Sequence, residues 1–318
     1  MSSTCYVGVD VAKDSLEVAV AQGTTCRFPN SPRGVAQLVQ YLQQQPASDY
    51  LVVVEATGGY ERELLLQLQG AGVPVVQVNP RQARRFAQGV GYQAKTDRLD
   101  AQLLRLMGER LPLSVRPLPD EKRMQLQELL ARRDQLAKAL TAEANRLQQA
   151  RCRQVQQSIR RVHTYLQKEL QRVERQLDQA LQQCPEYQEK LRLLRSVPGV
   201  GPQLARRLVV SCPELGQTTR REAASLVGVA PVARDSGRQR GKRCVAGGRA
   251  SVRRVLYMAA LVGARYNPVL RRLYQRLRSR GKPAKVALVA CMRKLLVILN
   301  AILRDGQPWR SRLEPQNA

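Results

Sequence analysis

Leu51-Val-Val-Val-Glu55 is an apolar run that ends on an acid. Four consecutive aliphatic residues suit a central strand buried on both faces. An acid at the end of such a strand is expensive unless water or a cation reaches it. Tyr6-Val-Gly-Val-Asp10 has the same shape upstream, a short apolar strand ending on an acid. Leu16-Glu-Val-Ala-Val20 alternates with period two, as a neighbouring strand does, and Thr24 to Phe28 can complete a hairpin pair. Residues 34–44 have helical apolar spacing, Tyr60 to Leu68 reads as a helix, and Val73 to Val78 reads as the next strand. Pro80 opens another helix, and Thr96 caps one that runs to Met107. This alternation predicts one α/β domain with a mixed sheet over residues 1–112.

Asp97 and Asp100 lie three apart on the last of those helices and so share a face. Two-metal phosphoryl chemistry needs several carboxylates converging on a space about 4 Å across. Mg²⁺ takes one or two carboxylates per ion and fills its remaining positions with water and phosphate oxygens. Taken singly, Asp97 could complement a helix dipole and Asp10 could start a turn. Together, Asp10, Glu55, Asp97 and Asp100 form the candidate catalytic and metal-ligating set.

The charge distribution separates this domain from the rest. The 318 residues carry 53 Lys and Arg against 25 Asp and Glu, a net charge of +28. Residues 1–105 hold 10 basic and 9 acidic residues, whereas residues 196–318 hold 25 and 5. A polyanionic partner is expected, with its surface in the C-terminal third. Arg outnumbers Lys there, which suits bidentate phosphate contacts. An aromatic content of 4% argues against stacking many single-stranded bases. The seven cysteines are widely spaced without a C-x-x-C, and His163 is the one histidine, which excludes a Cys/His zinc site. They read as reduced thiols of a cytoplasmic protein. There is no run of eighteen apolar residues and no basic-then-apolar N-terminus, so neither a membrane span nor a secretory signal is expected.

From about Asp120 to Cys184 the chain has no Gly and no Pro. Leu126, Leu129, Leu136, Leu140 and Leu147, then Ile159, Val162, Leu166, Leu170, Val173, Leu177 and Leu181, recur at helical steps. Residues 113–190 therefore read as two long helices, an antiparallel pair or a coiled coil. Their stripe is buried either within the chain or in a dimer. A third, basic and mostly helical domain spans 191–308. Leu193-Leu-Arg-Ser-Val-Pro-Gly-Val-Gly-Pro202 with the helix Leu204 to Val210 resembles a helix-hairpin-helix, whose turn lets backbone N–H groups approach a phosphate. Ala223 to Ala230 is a short helix and turn, 234–250 a basic loop, and Ser251 to Arg265 and Lys285 to Leu303 are helices. Residues 309–318 read as a loose tail.

Val7-Gly-Val-Asp10-Val-Ala-Lys13, Val54-Glu55-Ala-Thr-Gly58, Val78-Asn-Pro80, Lys95-Thr-Asp97-Arg-Leu-Asp100-Ala101 and Val197-Pro-Gly-Val-Gly201 resemble the DEDD transposases of bridge-RNA-guided insertion sequences, a family that includes the Piv-type DNA invertases. The motifs occur in order from about residue 5 to residue 300. The resemblance implies a RuvC-like RNase H fold for the first domain, with Asp10, Glu55, Asp97 and Asp100 as ligands of Mg²⁺ (or Mn²⁺), and a coiled coil for the long helices. It also implies a nucleophilic serine in the basic domain. Ser236, in Asp235-Ser236-Gly237 after Val227-Gly-Val-Ala-Pro231, occupies the matching position. The family often carries more serines after this glycine, where this chain has Arg238-Gln-Arg240. From the residues alone Ser236 is an ordinary loop serine, with Ser225 and Ser251 nearby and no local base evident.

The candidate nucleic-acid contacts are Lys13, Lys95, Arg234, Arg238, Arg240, Lys242, Arg243, Arg249, Arg253 and Arg254. The partners that the resemblance implies are donor and target double-stranded DNA, a guide (bridge) RNA, and further copies of the chain as a dimer or a dimer of dimers. The implied setting is the bacterial cytoplasm, at the nucleoid. The leading expectation is an RNA-guided DNA recombinase that passes through a phosphoserine–DNA intermediate. The alternatives are a RuvC-like structure-selective endonuclease using metal-activated water, and a non-catalytic nucleic-acid-binding protein.

Overall fold

The computed structural model describes residues 4–21, 24–44, 49–92, 94, 96–115, 120–232, 235–236, 239–241 and 243–310. The chain divides into two compact units, Met1–Pro119 and Asp120–Ala318.

The first unit is built on a sheet of β1 (Cys5–Val11), β2 (Ser15–Ala21), β3 (Thr24–Pro29), β4 (Tyr50–Glu55) and β5 (Val75–Val78). The spatial order is β3-β2-β1-β4-β5. β1, β2 and β3 pair antiparallel, while β4 runs parallel to β1 and β5 parallel to β4. The helices are α1 (Pro32–Gln43), α2 (Arg62–Gly70), α3 (Pro80–Gly89) and α4 (Asp97–Arg110). Side chains alternate across a strand, so β4 and β5 feed two cores. Val7, Val9, Val52 and Val54 pack with Leu38 of α1 and Leu64 of α2 on one face. Val53, Val76 and Val78 pack with Leu104 and Met107 of α4 on the other. This mixed sheet with helices on both faces is consistent with an RNase H-like fold.

In the second unit, α5 (Glu121–Gln149) and α6 (Arg153–Gln182) pack against each other as a hairpin. Arg133 of α5 pairs with Glu174 of α6 at 3.0 Å. Leu126, Leu130, Leu177 and Leu181 join the same core as the helices that follow. Those are α7 (Pro185–Arg195), α8 (Pro202–Ser211) and α9 (Arg220–Val227), then, after the short strands β6 (Pro231–Val232), β7 (Asp235–Ser236), β8 (Gln239–Arg240) and β9 (Cys244–Val245), α10 (Ala250–Tyr266), α11 (Pro268–Ser279) and α12 (Ala284–Asp305). At this end the stripe is buried within the chain, whereas Val155, Val162 and Tyr165 near the start of α6 stay exposed. α12 is long and apolar enough to cross a membrane. Leu288, Met292, Leu295, Leu296 and Leu299 explain its composition, because they are buried in the unit's core.

The turn between α7 and α8 is the one that resembles a helix-hairpin-helix. Gly199 (φ +93°) sits there, and a Cβ on it would lie 2.8 Å from Gly263 Cα of α10. The glycine therefore serves a close helix contact in addition to the turn. At the tail, the Trp309 N–H donates to Ser196 Oγ at 2.8 Å; residues 311–318 lie outside the described residues.

Candidate active site

The parallel register of β1 and β4 sets the first part of the site. Val9 pairs with Val54, so Asp10 and Glu55 follow as the next residues on neighbouring strands. By alternation both lie on the face that carries Gly8 and Val53, which is covered by α4. Gly8 explains how closely α4 lies. A Cβ there would be 2.0 Å from the carbonyl oxygen of Ala101 and 2.4 Å from the Arg105 nitrogen. Ala101 follows Asp100, so this contact fixes the helix turn that carries Asp100 over the strand that carries Asp10.

The start of α4 is fixed by Thr96, whose Oγ1 accepts from the Leu99 N–H at 3.3 Å. Asp97 and Asp100 occupy the first turn, where the helix dipole favours acids. Asp100 is half-buried and lines a cleft of about 400 Å³ together with Glu55, and Asp97 is exposed. The structure therefore brings Glu55 and Asp100 to one cavity and places Asp10 on the strand beside Glu55. Among the described residues, no three Asp, Glu, His or Cys side chains converge as a metal-holding group. The two acids that line the cleft, Glu55 and Asp100, offer hard carboxylate oxygens. One or two of these per ion is the coordination that Mg²⁺ or Mn²⁺ accepts, so the residues present fit such an ion.

Three residues that sequence reasoning did not single out belong to this neighbourhood. Arg84 of α3 lines the same cleft as Glu55 and Asp100. Glu17 pairs with Asp10 across β1 and β2, is 8% exposed, and has Arg98 Nε of α4 at 3.5 Å. Glu61, 7% exposed, organises the loop after Glu55. One of its oxygens accepts from Thr57 N, Thr57 Oγ1 and Gly59 N, and the other accepts from Gln77 Nε2 at 2.8 Å. The alternation in Leu16-Glu-Val-Ala-Val20 already placed Glu17 on the face opposite Leu16 and Val18. Only the pairing of β2 with β1 shows that Asp10 shares it.

In the second unit Ser236 lies on β7, paired with Gln239 of β8. Its neighbour Asp235 accepts from the Gly241 N–H at 3.2 Å and forms an ion pair with Arg243 at 2.8 Å. The feet of this segment interlock. A Cβ on Gly228 would meet Gly247 O at 2.2 Å, and one on Gly248 would meet Gly228 N at 2.2 Å. Arg253 Nη1 donates to both Val227 O and Gly247 O, which ties the two feet together. Arg249 makes a two-pronged ion pair with Glu214 at 2.7 and 2.6 Å. Burial pushes the Glu214 carboxyl up, but the hydrogen bonds and charge of Arg249 outweigh this and hold it below the ordinary glutamate value. Of the candidate nucleic-acid contacts, Arg249 and Arg253 are thus engaged within the chain, and Arg243 is tied to Asp235. Lys13 and Arg254 are exposed, and Arg240 lies on β8. Lys95, Arg234, Arg238 and Lys242, with Gly237, lie outside the described residues.

A transposase family model of the DEDD IS110 type matches residues 7–150, and a second, described as Transposase IS116/IS110/IS902 family, matches residues 191–275. The chain belongs to the IS110 family of DEDD transposases. Cutting and rejoining of DNA as a transposase or recombinase is accordingly its enzymatic class. The transposase is similar over its length to the pilin gene-inverting proteins of Moraxella bovis and Moraxella lacunata. Each is 28% identical over 323 residues, covering 98% of this chain and 99% of the relative. An uncharacterized 43.6 kDa protein of the insertion element IS110 from Streptomyces coelicolor is 33% identical over 123 residues, covering 38% of this chain and 30% of its own. The first family model spans all four acids of the transposase, and the second spans Ser236.

Proposed function

We propose that this transposase breaks and reseals DNA through a metal-dependent carboxylate site acting with Ser236, under the guidance of a bound RNA. The observation that carries the reading is the placement of Asp10 and Glu55 on adjacent parallel strand ends, with Asp100 lining the same cleft as Glu55. Asp10, Glu55, Asp97 and Asp100 would hold Mg²⁺ (or Mn²⁺), which when bound polarises a phosphate oxygen and eases loss of the serine proton. Arg84 neutralises the phosphate that enters the same cleft. The Ser236 Oγ attacks phosphorus and gives up its proton. The P–O bond to the leaving sugar oxygen breaks, and that oxygen takes a proton. The resulting phosphoserine ester keeps the bond energy, so a sugar hydroxyl can reverse the step and rejoin a strand.

Beside Ser236, Asp235 forms an ion pair with Arg243 at 2.8 Å, which keeps a cation next to the proposed nucleophile. Ser236 and the carboxylates belong to different compact units. The reading therefore brings them together by folding of one chain or by assembly of copies, as a dimer or a dimer of dimers, in which the serine of one subunit would serve the acids of another. A mixed-subunit test checks this. Ser236→Ala and Asp10→Asn chains combined in one preparation recover recombination if the site is shared, and stay inactive if it is not. Choice of sequence falls to a guide RNA that pairs with donor and target DNA in the cytoplasm. The scarcity of aromatic residues supports backbone contacts over base stacking by the protein. Purifying the transposase with its bound nucleic acid and sequencing that material tests this part: a defined RNA is expected, and DNA fragments alone contradict it.

A further inference from the structure

From residue 236 to residue 304 the chain contains no Asp and no Glu. Within this stretch α11 and the turn after it expose Arg271, Arg272, Arg276, Arg278, Arg280 and Lys282. Among the described residues none of these six has an acidic partner. Arg272 and Arg276 stand four residues apart, as do Arg276 and Arg280, and like charges at that spacing repel along a helix.

The helix is nonetheless rigidly built. Leu270 is fully buried, and Leu273 and Tyr274 pack on the same core, which turns the arginines outward. Asn267, fully buried, caps the start: its Oδ1 accepts from Val269 N and Leu270 N, and its Nδ2 donates to Pro198 O at 3.2 Å. Gly281 (φ +74°) ends it, with the Lys282 N–H donating to Leu277 O at 3.1 Å. A fixed, outward, uncompensated row of arginines is complementary to a regular row of phosphates.

We infer that the outer face of α11 and its following turn binds the phosphodiester backbone of duplex DNA, as a surface separate from the cleft that holds Glu55 and Asp100. The choice of duplex over single strand follows from the face itself, since Tyr274 is turned into the core and no exposed ring lies between Arg271 and Lys282. The apolar side of α11 is already consumed by packing, so it has no greasy face to lay on a membrane. The choice of DNA as the polyanion rests on the recombinase reading, whereas the binding of phosphates does not.

The test is binding without catalysis. The full-length chain is titrated with a labelled random-sequence DNA duplex in EDTA at several KCl concentrations. The variant is Arg271→Gln, Arg272→Gln, Arg276→Gln, Arg278→Gln. A control removes four cations from α6 instead: Arg153→Gln, Arg160→Gln, Arg161→Gln, Lys168→Gln. The α11 variant should lose at least about tenfold in affinity and reduce the slope of log K against log salt by about 3 to 4, one phosphate contact per arginine. Its Tm should be unchanged or higher, because repulsion is relieved, and the control should keep the parental slope. An unchanged slope in the α11 variant, or an equal loss in the control, overturns the inference. A loss seen with duplex RNA but not with duplex DNA overturns the assignment to DNA. Because no metal is present, a failure of the carboxylate chemistry leaves these results untouched.

Discussion

Gly8 and Ala101 meet backbone to backbone: a single added methyl carbon on Gly8 would lie 2.0 Å from the Ala101 carbonyl oxygen. This contact seats α4 on β1 and thereby sets Asp100 over the sheet that bears Asp10 and Glu55. Gly8→Ala must push the helix away. The expected loss of stability is about 1–3 kcal/mol, typical of overpacking. Strand cleavage should fall by more than the population of unfolded protein explains. Urea unfolding and single-turnover cleavage on the same preparation measure both.

Glu55 and Asp100 line one cleft, so each should be needed for chemistry and dispensable for folding. Glu55→Gln and Asp100→Asn should each lower the cleavage rate by about 10²–10³-fold, the usual loss when one electrostatic group leaves such a site. Added Mn²⁺ should bind the variants more weakly in a calorimetric titration. Removing divalent ions with EDTA should stop cleavage by the parent chain and leave duplex binding intact.

Arg84 is exposed and shares that cleft. Arg84→Gln should leave stability within about 0.5 kcal/mol, as surface changes do. Steady-state kinetics should show weaker DNA use at low substrate and a slower chemical step at saturation. A variant with parental kinetics would remove Arg84 from the site.

The Glu214–Arg249 pair predicts a pH dependence. Glu214 is held below its ordinary value in the folded chain. Its stabilising effect is therefore complete above the unfolded glutamate value of about 4.3, and it disappears as pH falls through the lower folded value. Glu214→Gln should lower stability by ~2 kcal/mol near neutral pH. The gap between parent and variant should close in acid, below about pH 4. Tm measured across that range checks both magnitude and sign.

Much of the first unit was legible because its signals are local. Apolar runs ending at Asp10 and Glu55 mark strands, and Thr96 with Asp97 marks a helix start. β2, the antiparallel partner of β1, is marked by period-two alternation. Register was not legible, and register is what sets Glu17 beside Asp10. Glu61 was missed because its role depends on Thr57, Gly59 and Gln77 folding around one carboxylate. In the second unit the long helices and α12 were readable from their stripes. α7 and α11 are hard to read from sequence because charged residues dominate them and few apolar positions mark their faces. The basic residues could be counted in the sequence but not sorted. Only the fold separates Arg249 and Arg253, which brace the chain, from Arg254, which is exposed.

Mass spectrometry of the trapped protein–DNA complex reports whether Ser236 is the nucleophile. The transposase is incubated with nicked or cleavable duplex, its guide RNA and Mg²⁺, quenched in denaturant, and digested. A nucleotide phosphate esterified to the peptide containing Ser236 is expected, absent in Ser236→Ala and in Asp100→Asn. Cleavage by Ser236→Ala at the parental rate, with free DNA ends and no adduct in the parent, would contradict this and point instead to metal-activated water as the nucleophile.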